Sequence, residues 1–119
     1  MQDAYAEFQD GSRLLESGNP HAATLPLERA RDLEPGKASI REALARAYYG
    51  AARYERAAVE FAAVVDLDPV NDYAHFGLGR ALARTGDVNG ARRHLRLATA
   101  MAPNNADYRT ALAELDPAS

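Results

Sequence analysis

Proline recurs at a fixed interval along this chain: Pro35, Pro69 and Pro103 are each 34 residues apart. Other positions keep the same interval. Ala23, Ala57 and Ala91 form one column, Leu27, Phe61 and Leu95 a second, and Leu14, Tyr48 and Leu82 a third. Gly18, Ala52 and Gly86 form a fourth, small in every copy. A period of this length means one supersecondary unit stacked on copies of itself, because a single unit cannot bury its own apolar face. The alignment gives units 4–37, 38–71 and 72–105, with the first helix of a fourth at 106–119.

Within each unit the pattern predicts two helices. Leu44, Tyr48 and Ala51 keep helical spacing, as do Ala57, Phe61, Val64 and Val65; the alternation a strand needs is missing. The small fourth column allows a sharp turn between the helices. Asn19-Pro20 reads as a helix start with a capping side chain, and Asp68-Pro69 as a helix end. Ala57 and Ala91 mark places where the two helices cross closely. Pro26 falls inside a predicted helix, where a bend is expected. The chain of 119 residues fits one domain, 1–119. A capping helix over about 106–116 would cover the third unit with Tyr108, Leu112 and Leu115.

This series resembles the tetratricopeptide repeat (TPR) family, whose unit has the same length. The second unit supplies Leu44-Ala45, Tyr48, Ala57, Phe61 and Pro69; the third supplies Leu78-Gly79, Leu82, Ala91, Leu95, Ala98 and Pro103. The first supplies Gly11, Leu14, Gly18, Ala23, Leu27, Ala30 and Pro35. The resemblance implies an all-α fold, a right-handed superhelical α-solenoid of three helix-turn-helix units with a capping helix. Two columns depart from the family pattern. Glu7, Arg41 and His75 stand where tryptophan is usual, and Asp10 stands where the other units have leucine.

The resemblance also implies a function: a protein–protein interaction module that takes a peptide or partner protein on a concave face lined by the first helix of each unit. The family's groove columns fall on Tyr5, Phe8 and Ser12, then Glu42, Arg46 and Tyr49, then Tyr73, Phe76, Arg80 and Arg84. Aromatic side chains on a rigid concave surface anchor peptides well. Arg46 and Arg80 are one repeat apart and would project side by side toward a carboxylate, so the partner is expected to be acidic. A plainer reading stands beside this one: the aromatics pack between neighbouring helices, and the arginines form a solvated face or pair with Glu42 and Glu16. The chaperone-tail clamp of some family members would fall on Phe8, Ser12, Ala43, Tyr73 and Gly77, which lack its amide and cations.

Composition narrows the alternatives. The formal net charge of −3 argues against nucleic acid and acidic membranes as partners. With no cysteine, thiolate metal sites are excluded, and His21, His75 and His94 lack metal-ligand spacing and read as helix-surface histidines. Gly77-Leu78-Gly79 follows no strand, so no dinucleotide site is expected. Arg92, Arg93 and Arg96 read as a solvated convex face. No nucleophile, base or cofactor motif converges, so an enzyme is not expected. Two other roles compete with peptide binding: self-association into homo-oligomers and, more remotely, RNA binding by a helical repeat. The N-terminus shows no secretory pattern, and the chain reads as cytoplasmic.

Overall fold

The computed structural model describes residues 3–116. Its helices are α1 (Ala4–Glu16), α2 (Pro20–Leu33), α3 (Ala38–Gly50), α4 (Tyr54–Leu67), α5 (Asp72–Thr85), α6 (Val88–Met101) and α7 (Ala106–Glu114). No strand occurs among the described residues. Both helix types keep the repeat: α1, α3, α5 and α7 start 34 residues apart, and so do α2, α4 and α6. Consecutive helices pack antiparallel into a right-handed α-solenoid 54 Å long and about 24 Å across. Helix α1 also touches α3, and α3 touches α5, so these helices crowd the inner face of the superhelix.

The turns explain the small column. Gly18 and Gly86 have φ of 82° and 94°, and Ala52 has φ of 61°. This left-handed geometry suits glycine and strains alanine. Capping varies by unit. Asp3, Asn71 and Asn105 each accept from the amide three residues on, capping α1, α5 and α7, whereas Lys37 before α3 makes no side-chain cap. Asn19 is the N-cap residue of α2, but its side chain donates to Ser17 Oγ instead of capping the helix. The expected capping role is therefore lost to a local turn bond.

Helix α2 is continuous from Pro20 to Leu33 across Pro26. The ring removes one donor, so position 26 cannot bond back to the Ala22 carbonyl. Helix α7 ends at Glu114, short of the expected 116. Asp116 precedes Pro117, and a residue before proline is driven out of helical geometry.

The core follows the repeat columns. Ala23, Leu27, Leu44, Ala57, Phe61 and Leu78 form the central cluster. Leu95, Ala98, Phe76 and Tyr108 form a second, sealed by Leu112 and Leu115. Volumes are matched across it. Gly79 approaches so closely that a Cβ there would lie 2.7 Å from Leu95 Cγ. A methyl on Gly77 would enter the Phe61 ring. One repeat earlier Ala43 occupies the Gly77 column, where the opposing side chain is the smaller Leu27.

Candidate functional site

The inner face of α3 and α5 gathers most of the candidate residues. Arg80 lies over two rings, with its guanidinium carbon 4.5 Å from the Tyr49 ring centre and 5.1 Å from that of Phe76. Tyr49 meets Tyr54 edge-on at 5.1 Å, and Arg84 covers Tyr54 at 5.0 Å. The Tyr49 hydroxyl beside Arg84 raises the pKa of that guanidinium further. A cation over an aromatic face is attracted by the ring quadrupole, and stacking leaves its edge N–H groups free to donate. Arg46, Arg80 and Arg84 are all exposed.

Tyr73 joins the two helices. It is 36% exposed and sits 6.2 Å from the Phe61 ring and 6.1 Å from Phe76. Burial raises its phenol pKa; Arg46, which also hydrogen-bonds it, and Arg80 oppose the rise, while Glu42 adds to it. Burial likewise raises the Glu42 carboxyl pKa, against the pull of Arg46. Glu42, Arg46, Tyr73 and Arg80 therefore form one electrostatic neighbourhood across α3 and α5.

The candidates on α1 stand apart from this wall. Tyr5 is 68% exposed, and its hydroxyl accepts from Gln9 at 3.0 Å. Phe8 is half-buried and packs against both the central cluster and the Ala4–Ala30–Ile40 group. Tyr5, Phe8 and Ser12 line an open recess of about 700 Å³ with Gln9, Arg13 and Glu16. Phe76 differs most from an exposed anchor. It is only 8% exposed and stacks on Tyr108 at 4.7 Å, so it supports Arg80 from below. Ala43 and Gly77, two columns of the chaperone-tail clamp, are core residues.

Sequence columns missed three features. Tyr54 lies at the start of an outer helix, outside every groove column, yet it completes the aromatic floor under Arg84. His75 is buried, not a surface histidine, and pairs with His94. The column usually held by tryptophan has a shared task here. Arg41 donates to the Pro35 carbonyl, His75 to Pro69 and Arg109 to Pro103, each six residues back, so this column closes the turn between units. A polar residue six positions after each proline was the available signal.

Among the described residues, no group of three or more His, Asp or Glu side chains could hold a metal ion. No helix among them is long and apolar enough to cross a membrane.

No curated protein sequence matches the chain. Solved structures match its fold over almost its whole length. The Arabidopsis OM64 TPR domain superposes with a TM-score of 0.90 at 18% identity, covering 96% of this chain and 94% of that one. The first TPR of Spaghetti (RPAP3), bound to the HSP90 peptide SRMEEVD, gives 0.89 at 19% identity, covering 98% and 93%. YrrB, a TPR protein with an unusual peptide-binding site, gives 0.86 at 22% identity, covering 93% and 57%. Two models of the tetratricopeptide repeat match residues 8–71 and 50–115. With its 34-residue helix pairs, its matched core columns and these overlapping matches, the chain belongs to the tetratricopeptide repeat family.

Proposed function

We infer that the protein binds an acidic peptide segment of a partner protein along the inner face of α1, α3 and α5. The observation that carries this reading is Arg80 stacked between Tyr49 and Phe76, with Arg46 and Arg84 exposed on the same wall. Guanidiniums fixed by rings lose little freedom when they meet a carboxylate, and their paired N–H groups match its two oxygens. Tyr5, Phe8 and Ser12 in the α1 recess would contact the less charged part of the segment. Relatives of the same fold hold peptides, among them the HSP90 peptide SRMEEVD on Spaghetti and a YopD peptide on the secretion chaperone SycD. Because Ala43 and Gly77 are core residues here, the acid is held by the arginine–tyrosine wall. The whole chain, 1–119, would act as one binding unit, a cytoplasmic adaptor with no catalytic role.

The test is fluorescence anisotropy with a labelled Glu/Asp-rich peptide ending in a free carboxylate. Arg80→Ala should weaken binding about tenfold, and Arg46→Ala with Arg80→Ala should weaken it further. Arg80→Lys keeps the charge but loses the planar stack and should fall between wild type and alanine. Equal affinity for wild type and the double variant would remove the groove assignment.

A further inference from the structure

Two histidines sit between α5 and α6, away from the groove wall. His75 is 4% exposed, and its Nδ1 lies 3.0 Å from His94 Nδ1, with the ring centres 5.3 Å apart and the planes 21° from parallel, so the rings meet edge to edge. His75 Nε2 is 2.8 Å from the Pro69 carbonyl, and His94 Nε2 is 3.4 Å from Arg93 Nη2.

Donor and acceptor roles follow from these neighbours. A carbonyl only accepts, so His75 Nε2 carries a proton. A guanidinium only donates, so His94 Nε2 is bare. A neutral His75 then offers a lone pair at Nδ1, and His94 donates its Nδ1–H into it. The result is one directed chain: Arg93 to His94, His94 to His75, His75 to Pro69. A proton on His94 Nε2 sets that atom against the Arg93 guanidinium but leaves the bond between the rings in place. A second, on His75 Nδ1, sets two donors face to face between the rings.

We propose that the His75–His94 pair is an acid-sensitive lock on the third unit, closed when both rings are neutral and opened when both are protonated. The contrast lies one repeat earlier. There Arg41 and Glu60 fill the same two columns with an ion pair at 2.9 Å. The charged groups acting on His94 are Arg93, which opposes a second positive charge, and Asp87, which favours it. On the α4 and α5 side, Asp68 is the C-cap of α4, and Asp72 is engaged by the Tyr108 hydroxyl at 2.8 Å. On α4, Val65 stands where the preceding unit has Arg31, so the third unit has no cationic counterpart in that column.

The sign of the pH effect follows. Burial first, then Arg93 and His75, hold the His94 pKa below its ordinary 6.5. The unfolded chain therefore binds the proton more readily than the folded one. The stabilisation is fully present above about pH 6.5 and is lost as pH falls through the folded value. Because α5 also carries Tyr73, Arg80 and Arg84, the lock would link acidity to the shape of the groove wall.

Two measurements on the full chain test this. Nitrogen-15 NMR at pH 7.5 should find His75 as the Nε2–H tautomer and His94 as the Nδ1–H tautomer, with His94 titrating below 6.5. Any other tautomer pair, or titration at or above that value, overturns the lock. Thermal unfolding should then compare wild type with His75→Arg/His94→Glu, which imports the second unit's pair. Between pH 7.5 and 5.0, wild type should lose about 3–6 °C more than the variant. An equal loss in both overturns it. Should the variant fail to fold, the NMR titration alone decides.

Discussion

The second and third units share a backbone and a column pattern but close their helix pairs with opposite chemistry. In the second, Glu60 is 3% exposed and receives Arg31 from α2 and Arg41 from α3, both at 2.9 Å. In the third, the matching columns hold two imidazoles whose Nδ1 atoms lie 3.0 Å apart. The cores differ too: within the third unit Leu95 faces Gly79, where the same columns of the second unit hold Phe61 and Ala45. The repeat thus sets where side chains meet. What they are is settled pair by pair, and each buried polar group still needs a partner.

Removing the acid should separate the two units most. Glu60→Ala leaves two guanidiniums facing each other in a mostly buried site and should cost about 3 kcal/mol, since stripping one partner from a buried pair is strongly destabilising. At the matching column of the third unit, His94→Ala should cost about 1–2 kcal/mol, because it strands one neutral acceptor and no charge. Urea unfolding of both variants checks the order; equal losses would mean that the columns are equivalent after all.

The next test concerns volume. Gly77→Ala should cost about 1–3 kcal/mol by overpacking against Phe61. Adding Phe61→Leu recreates the native Ala43–Leu27 arrangement and should return part of that loss. A double-mutant cycle with no coupling would show that the two residues do not constrain each other.

The smallest expected effects are gains in the second unit, which lacks two local devices the third has. Lys37→Asn supplies the cap that Asn71 gives α5 and should add about 0.5–1 kcal/mol. Ala52→Gly relieves the left-handed turn that Gly86 makes without strain and should add about 0.5–1 kcal/mol. Thermal midpoints would register either gain as a rise of a few degrees.

The same residues show which features a repeating sequence carries. Ala57, Phe61 and Leu95 were legible because burial recurs at a fixed period, and a core column leaves the same mark in each copy. The helix pairs, their turns and the capping role of Tyr108 followed from that periodicity. Glu60 and His75 were not legible as buried residues, because each is satisfied by a partner unique to its unit. The Asn19 side chain turned to Ser17, a choice between two local bonds that pattern does not resolve. In the candidate groove, the arginines and tyrosines were named from family columns. The stacking of Arg80 on Tyr49 and Phe76 depends on rotamers, and Tyr54 entered from a helix outside those columns.

The proposed role places an acidic peptide on the inner face of α1, α3 and α5. Its most direct test is an NMR titration of the labelled protein with a Glu/Asp-rich peptide bearing a free C-terminal carboxylate. Amide and side-chain shifts should change along α3 and α5 around Tyr49, Tyr73 and Arg80, extend to Phe8 on α1, and spare Val59 and Leu67 on the outer face of α4. Shifts confined to α2, α4 and α6, or none at millimolar peptide, would contradict it.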